Sequence, residues 1–331
     1  MRTRLFVLFA GATLTGSLVD AQDVTRCPGT TSAQQISQDA CQKALDLFAY
    51  MAPQLGTSIA GGNATLGQAG SLGGLGHFSA GLRINAIQGS LPQIQNITLS
   101  TTGANNTPPI DTKTQLFPMP TAELAIGLFK GLPLAITNVG GIDLLVSASY
   151  LPEFNSSGVS VKVPNGSLKF GYGARVGILQ ESLLVPGVSV SYIRRDLPTV
   201  NMTANSGNDS LYVNNLSLKT TAWRLVASKS LLLFGLAAGV GQDKYESSTD
   251  VSAHVAARVL TPAANAGPVA LSQNLTRTNI FADLSMNLLL LKLTGEIGQV
   301  SGGTINTFNT FSGKQAADSR IYGSVGARFG F

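Results

Sequence analysis

The chain has 331 residues, 37 of them Gly, with 12% charged residues and a formal net charge of +5. Its basic residues form no run, so we expect no nucleic-acid partner, and the absence of charge clusters argues against a disordered tail. No apolar stretch reaches the ~18 residues of a membrane helix. The composition therefore leaves a soluble β-sandwich or a membrane β-barrel, because only helices and closed barrels satisfy every backbone group in lipid.

The first 21 residues are predicted to be a secretory signal peptide. Arg2 and Arg4 precede an apolar run over residues 5–14, and residues 19–21 provide small side chains for cleavage before Gln22. The apolar run is far shorter than the ~20 residues that a membrane-spanning helix needs.

Residues 22–55 are predicted to form a helical segment closed by a disulfide. Cys27 and Cys41 are the two cysteines of the chain, and in a secreted protein they are expected to be bonded. Apolar residues recur at three- and four-residue steps over residues 32–52, which indicates an amphipathic helix. Pro53 is expected to end it. This helix would lie in the periplasm or act as a plug.

Residues 56–74 are rich in glycine and are predicted to be a flexible tether. The glycines at positions 73, 74 and 76 have the wrong spacing for a phosphate-binding loop and precede a strand, not a helix. The alternative for this segment is a hatch that enters a barrel lumen.

Residues 75–331 are predicted to form the barrel. Side chains alternate between apolar and polar with period two, as strands of about 9–11 residues that cross a membrane require. Ten segments show the pattern: 75–90, 121–130, 141–151, 167–179, 187–196, 212–228, 232–245, 276–288, 291–300 and 319–331. A change of phase near Thr220 predicts a bulge. Residues 158–163 and 251–259 would raise the number of strands to twelve. The predicted fold class is an all-β membrane protein, a closed antiparallel up-and-down barrel of ten to twelve strands.

The connections between these segments alternate between short and long. This alternation is typical of short periplasmic turns and long external loops, and it predicts that both termini are periplasmic.

Charged residues on the inward faces are predicted to line the lumen. They are Arg83, Glu123, Asp143, Lys169, Arg175, Arg224, Asp283, Lys292, Glu296 and Arg328. Either they pair across a narrow interior and hold its shape, since charges in low dielectric must be paired, or they line a small, slightly cationic channel. Inward-facing glycines would leave room for such a channel.

The last strand carries the strongest resemblance to a known class of proteins. Val325, Ala327, Phe329 and Phe331 share one apolar face, and the chain stops on an aromatic residue. This resembles the terminal strand of bacterial outer-membrane β-barrel proteins, which the barrel-assembly machinery reads. The resemblance implies the outer membrane of a Gram-negative-type bacterium, with its lipid and that machinery as partners. The amino-terminal segment is more weakly similar to the plug of outer-membrane transporters for fatty acids and other hydrophobic compounds.

One pair of residues could support catalysis. His77 and Ser79 stand two apart on one strand, which resembles the arrangement in outer-membrane lipases and deacylases. The pair is expected to face the lumen, and no acidic residue is placed to orient His77. His77 and His254 have no partners at metal-ligand spacing, so we expect neither a metal nor a cofactor.

The sequence therefore predicts a non-enzymatic barrel, porin-like in architecture. It would be a narrow channel or transporter for small or hydrophobic solutes, or a structural barrel. The alternatives are a lipid-modifying hydrolase that uses His77 and Ser79, and an adhesin that acts through external loops 91–120 and 249–275.

Overall fold

The computed structural model describes residues 26–27, 32–156, 159–259 and 262–330. The predicted signal peptide and Phe331 lie outside these ranges. The elements are α1 Ser32–Ala60, β1 Phe78–Pro92, β2 Thr112–Phe129, β3 Leu132–Leu134, β4 Thr137–Val139, β5 Gly141–Tyr150, β6 Phe154–Ser156, β7 Val159–Lys162, β8 Leu168–Leu179, β9 Gly187–Asp196, β10 Val200–Ser206, β11 Asp209–Leu231, β12 Phe234–Val255, β13 Ala264–Leu288, β14 Leu291–Ser301 and β15 Arg320–Gly330. A single 3-10 turn covers Ile94–Asn96.

Ten strands close into an antiparallel ring in the order β1-β2-β5-β8-β9-β11-β12-β13-β14-β15. The last strand pairs back onto the first, with Phe329 opposite Ala80, so the ring has no free edge. The predicted up-and-down barrel is confirmed with ten strands. The alternative of twelve is wrong, because β7 belongs to a side ribbon with β6 and β10, and residues 251–255 continue β12.

The outer surface of the ring is apolar. Every wall strand exposes a large apolar side chain, and one from each strand in ring order is Leu82, Leu124, Leu144, Tyr172, Val190, Trp223, Leu236, Leu284, Ile297 and Val325. An exposed apolar belt of this extent is a liability in water but is solvated by lipid. The structure is therefore that of a transmembrane β-barrel. Within the described residues, no helix has the length and apolar character to cross a membrane by itself.

On one side of the barrel the strands are longer than a membrane crossing requires. Strands β11, β12 and β13 have 23, 22 and 25 residues, about twice the ~9–11 that cross a bilayer. Of the two segments predicted as long loops, 249–275 is largely an extension of the wall, since β12 continues to Val255 and β13 begins at Ala264. Segment 91–120 keeps a long loop over residues 93–111, and its last part belongs to β2, which begins at Thr112.

The predicted bulge near Thr220 is misplaced. The pairing of β11 with β12 shifts between Asn214 and Ser217, where Asn215 has a φ of 54°. From Leu216 to Arg224, alternate residues face inward without interruption. The apparent change of phase arises because the upper lumen contains an apolar helix, so Leu216 points inward there.

The two ends of the barrel differ. At what we call the short-turn end, the connections are 130–140, 180–186, 232–233 and 289–290. At the long-loop end they are 93–111, 151–167, 197–208, 256–263 and 302–319. The connections thus alternate in length around the ring.

Helix α1 enters the lumen from the long-loop end. Near its start, the Asp39 carboxylate accepts the backbone N–H groups of Ser100 at 2.7 Å and Asn105 at 2.9 Å, both in a long loop. The beginning of α1 and Gly330 at the end of β15 therefore lie at opposite ends of the barrel. The expectation that both termini are periplasmic concerns residues outside the described ranges.

Apolar packing and a disulfide fix the helix inside the wall. Cys27 and Cys41 are bonded, as predicted. One buried cluster joins helix residues to inward residues of β11, β12 and β13: Ala40, Ala44, Leu45, Phe48, Leu216, Leu218, Val251, Leu271 and Leu275. The apolar stripe of the helix is thus buried against the inner face of the wall.

The helix does not end at Pro53, as predicted, but continues to Ala60. Proline has no N–H, so the carbonyl of Ala49 loses its intrahelical partner. The barrel wall supplies a replacement, because Gln273 Nε2 on β13 lies 3.5 Å from the Ala49 oxygen. The Thr57 hydroxyl also donates to the Pro53 oxygen at 3.0 Å. The surrounding wall therefore offsets the local cost that would stop an isolated helix.

Candidate functional site

Residues 61–74 continue from the helix and fill the lower lumen, so we call residues 32–74 the plug. Gly61 ends α1 with φ +60°, and its N–H donates to the Thr57 oxygen at 3.1 Å. At Gly62 a Cβ would lie 2.5 Å from the Glu296 carboxylate and the Tyr322 hydroxyl. A side chain at position 62 would therefore displace the Glu296 carboxylate and the Tyr322 hydroxyl, which approach the plug backbone that closely.

Arg224 of β11 holds the turn after the helix. Its Nε donates to the oxygen of Gly62 at 2.9 Å, and its Nη2 donates to the oxygen of Gly61 at 2.8 Å and to Asp243 on β12. The Arg224 and Asp243 side chains are both 0% exposed. Asn279 Nδ2 lies 2.9 Å from both Asp243 and the Gly61 oxygen. Polar side chains of the wall therefore provide hydrogen-bond donors for the backbone carbonyl groups of the plug, which in turn are acceptors for the buried Arg224.

Two carboxylates on adjacent strands grip the next residues of the plug. Glu296 accepts the backbone N–H groups of Gly62 at 3.2 Å and Asn63 at 2.7 Å. Asp283 accepts the Asn63 side-chain amide at 2.8 Å and the N–H of Gly67 at 2.9 Å. The two acids are paired across β13 and β14. Together the two carboxylates accept hydrogen bonds from N–H groups of this turn that would otherwise have to bond to water.

A second ion-pair group lies on the opposite side of the plug. Glu123 lies 3.3 Å from Arg83 Nη2 and 2.7 Å from Arg195 Nη2. Both arginines also reach the plug, since Arg195 donates to the Ala60 oxygen at 2.6 Å and Arg83 to the Asn63 oxygen at 2.8 Å. Each arginine thus bonds at once to a wall carboxylate and to the plug backbone.

The third group is nearer the short-turn end. Arg175 Nη2 lies 2.7 Å from Asp143, and the same carboxylate accepts the N–H of Leu72 at 3.1 Å. The Ser71 hydroxyl donates to Gln180 Oε1 at 2.6 Å, and Gln180 Nε2 donates back to the Ser71 oxygen at 2.7 Å. The glycine-rich segment is therefore held along its length and is not a loose tether.

The predicted lumen residues fall into three groups in the structure. Buried ones are Arg83, Asp143, Arg175, Arg224, Asp283 and Glu296, and partly buried ones are Glu123, Lys292 and Arg328. Lys292 contacts the plug through the oxygen of Gly67 at 3.2 Å. Lys169 is exposed, because it has the inward phase but lies at the start of β8, at the long-loop end.

Several inward polar residues were left out of the predicted lumen set, although the alternation of their strands places most of them inward. They are Arg195, Asp243, Arg277, Asn279, Arg320 and Tyr322. Strand phase alone would have found Arg195, since Val190 and Tyr192 face outward and Arg195 stands an odd number of residues from both. Of the six, Arg195 and Asn279 bond to the plug backbone, for which the sequence contained no signal. Arg277 and Arg320 bond instead to backbone oxygens in the connection 302–319.

The space left between the lower plug and one part of the wall is small. Between the plug and the wall residues Arg83, Glu123 and Arg328, the cavity has a volume of about 20 Å³. A cavity of this size holds about one water molecule. The described plug therefore fills this part of the lumen, while the helix packs against the wall above it.

The predicted His77 and Ser79 pair is not assembled. His77 is exposed before the first residue of β1, whereas Ser79 is buried and its hydroxyl has no hydrogen-bond partner in the described residues. The same residues contain no group of three or more His, Cys, Asp or Glu side chains that could hold a metal. In the terminal strand, Val325 and Phe329 are exposed on the outer face and Ala327 is partly exposed.

Comparison with known proteins found matches among solved structures, at low identity and low TM-score. No family model matches the chain, and no curated protein matches it. Among solved structures, the attachment invasion locus protein Ail of Yersinia pestis is 10% identical over 77% of this chain and 97% of its own, with a TM-score of 0.21. The Ralstonia pickettii toluene transporter TbuX is 11% identical over 82% and 92%, with a TM-score of 0.29. A mutant of the monoaromatic hydrocarbon channel TodX is 8% identical over 77% and 89%, with a TM-score of 0.31. The assignment of the chain to the transmembrane β-barrel fold rests on its own strand pairing and apolar belt.

Proposed function

We propose that this chain is a non-enzymatic outer-membrane β-barrel of a Gram-negative-type bacterium, closed in its resting state by its own plug. The observation that carries the proposal is the bonding of residues 60–67 to charged side chains from several wall strands. These charges are buried, and a buried charge that loses its partner costs several kcal/mol. The role of the interior ion pairs is therefore to hold the plug in place and not to line an open channel.

The location follows from the outer surface. The apolar belt requires lipid, and the terminal strand carries the alternating pattern that the barrel-assembly machinery reads in outer-membrane proteins. Outer-membrane lipid and that machinery are thus the proposed partners. Detergent extraction and heat-modifiable gel migration test this placement, and a chain recovered in soluble periplasmic extract would contradict it.

A second candidate function is gated passage of a small solute. The plug changes character along its length, because α1 is fixed by apolar packing whereas residues 61–74 are held by hydrogen bonds and ion pairs. Such contacts exchange for water more readily than a packed apolar interface. A rearranged lower segment would expose a charged wall, which suits a small polar solute better than a hydrophobic one.

Planar-bilayer recording of the full chain separates the two candidates. For the closed barrel we expect no steady conductance from the wild type. The double variant Asp283→Asn/Glu296→Gln weakens the grip on the plug, and openings in this variant would favour gating. Glu246→Gln is the matched control, because Glu246 is exposed and pairs only across the surface with Lys244. A steadily open wild-type channel would overturn the proposal.

The absence of enzymatic activity needs its own test. We expect Ser79→Ala to leave the lipid A and phospholipid profiles of cells unchanged. An altered profile would favour the hydrolase alternative. The adhesin alternative predicts instead that shortening the 93–111 connection abolishes attachment while the barrel still assembles.

A further inference from the structure

The small cavity between the lower plug and the wall is lined by four charged side chains, each of which the strand register turns toward the lumen. They are Arg83, Glu123, Arg195 and Arg328. Arg328 on β15 and Glu123 on β2 both pair with Gly81 of β1, which has no side chain to fill the space between them. Arg83 stands two residues further along the same face of β1. Three cations and one carboxylate therefore surround one small space.

The contacts of Arg83 and Arg195 leave one donor on each guanidinium group without a partner. Both arginines donate through Nη1 to carbonyl oxygens of the plug, and both contact the same oxygen of Glu123 through Nη2. In the planar guanidinium group the Nε–H bond points to the side opposite Nη1. The two Nε–H groups are therefore directed away from the plug carbonyls. Neither Nε has a hydrogen-bond partner among the described residues, and the same is true of Nη1 of Arg328.

The rest of the cavity lining is mostly apolar. It includes the side chains of Ala64, Leu66, Ala125, Leu145 and Ile193 and the hydroxyl groups of Thr65, Ser79 and Thr294. The guanidinium groups can only donate hydrogen bonds. A water molecule has two lone pairs and accepts from two of the three cationic donors, whereas a monatomic anion can accept from all three. The donor set therefore favours an anion over water.

The charged side chains around residues 60–74 of the plug are also not balanced. The described cations there are Arg83, Arg175, Arg195, Arg224, Lys292 and Arg328, and the carboxylates are Glu123, Asp143, Asp243, Asp283 and Glu296. Glu181 and Lys229, at the short-turn end, add one charge of each sign. One positive charge is left over, and a buried charge without a counter-ion is strongly destabilising. Arg328 forms no ion pair in the described part of the chain, so the excess charge lies at the cavity that Arg328 lines.

We propose that this cavity binds one chloride ion, held by Arg83, Arg195 and Arg328 between the wall and residues 64–66 of the plug. A chloride ion is only slightly larger than the single water molecule that the volume of about 20 Å³ admits, whereas phosphate and carboxylates are too large. The bound ion neutralises the excess charge and adds an ionic contact at the plug. The site does not require that the lumen open or stay closed, so a conducting wild type would contradict the closed barrel and leave this site standing.

Unfolding of the full-length barrel in lipid vesicles tests the site when chloride is exchanged for gluconate at constant ionic strength. Gluconate is too large for the cavity and serves as the inert anion. If the folded barrel binds one chloride ion and the unfolded chain none, the equilibrium constant for unfolding should fall tenfold for each tenfold rise in chloride above its Kd. The same equilibrium constant in chloride and in gluconate would overturn the proposal.

Arg328→Met removes the excess charge and one of the three donors. We expect the stability of this variant to be independent of chloride. The matched control is Arg194→Met, because Arg194 is 36% exposed on the outer face of β9, and this variant should keep the tenfold dependence. Heat-modifiable migration shows whether both variants fold. Equal dependence on chloride in the two variants would refute the site.

Diffraction from wild-type crystals grown in bromide locates the ion without any substitution. Bromide replaces chloride in such a site and gives an anomalous signal, which water does not. We expect one anomalous peak within hydrogen-bond distance of the Nε atoms of Arg83 and Arg195. Ordinary density without an anomalous peak at this position would show a water molecule there and contradict the proposal.

Discussion

The hydrogen bonds between Arg224 and the plug backbone allow a direct test of what keeps this barrel closed. Arg224→Met keeps most of the side-chain volume but removes the charge. It leaves Asp243 without its ionic partner and the Gly62 oxygen without the Nε donor. Breaking a fully buried ion pair from one side costs about 3–5 kcal/mol. We therefore expect the free energy of unfolding to fall by that amount.

The matched control is Arg194→Met, on a neighbouring strand. Arg194 also pairs with a carboxylate, Asp196 at 3.2 Å, but its side chain is 36% exposed. Exposed pairs of this kind contribute about 0–1 kcal/mol. The double variant Arg224→Met/Asp243→Asn removes both charges, so it should lose less stability than Arg224→Met alone.

Urea unfolding in lipid vesicles, followed by the fluorescence of Trp223, measures these differences. Trp223 is the single tryptophan of the chain and lies on the outer face, so its emission changes when the wall leaves the lipid. If Arg224→Met were no more destabilising than Arg194→Met, the buried ion pairs would not be what holds the plug.

Three further predictions concern the rest of the plug. Gln273→Leu removes a donor to the Ala49 oxygen and should lower the free energy of unfolding by about 1 kcal/mol. Pro53→Ala in that background should recover part of this loss, because it restores an N–H that can donate to the same oxygen. If the effects of the two substitutions were strictly additive, the role of Gln273 would be contradicted. Burial raises the pKa of Asp46 to about 6, above its unfolded value near 4, so the folded chain binds more protons between these values. Its stability should fall by up to about 3 kcal/mol from pH 4 to 7, and Asp46→Asn should lack this slope. If the long-loop end faces the outside of the cell, an epitope tag inserted before Cys27 should bind antibody on intact cells, whereas a tag in the turn 289–290 should bind only after lysis. The reverse pattern would place the long-loop end in the periplasm.

The wall of the barrel could be predicted from sequence because its signal is local. A strand between lipid and lumen alternates at every residue, so Leu284 and Ile280 of β13 face outward by parity alone. The predicted and observed limits of β9 agree fully, and those of β5 nearly so. The upper parts of β12 and β13 were missed because they rise above the membrane, where no lipid imposes an apolar outer face.

The charged interior was only half predictable. Phase placed Arg224 and Asp283 inside, but pairing depends on which strands become neighbours around the ring. Lys169 has the same phase and is exposed, because phase does not tell how far along the barrel a residue lies. Arg195 pairs with Glu123 across residues that are 72 positions apart in the chain.

The sequence by itself determined an up-and-down wall of ten to twelve strands, its apolar belt and the Cys27–Cys41 bond, because alternation and the number of cysteines are properties of the chain read in order. Only the tertiary structure decided that α1 passes Pro53 and runs through the lumen from the long-loop end. That path depends on donors and acceptors from distant strands, Gln273 and Arg224 among them, which satisfy backbone groups that water would otherwise have to reach.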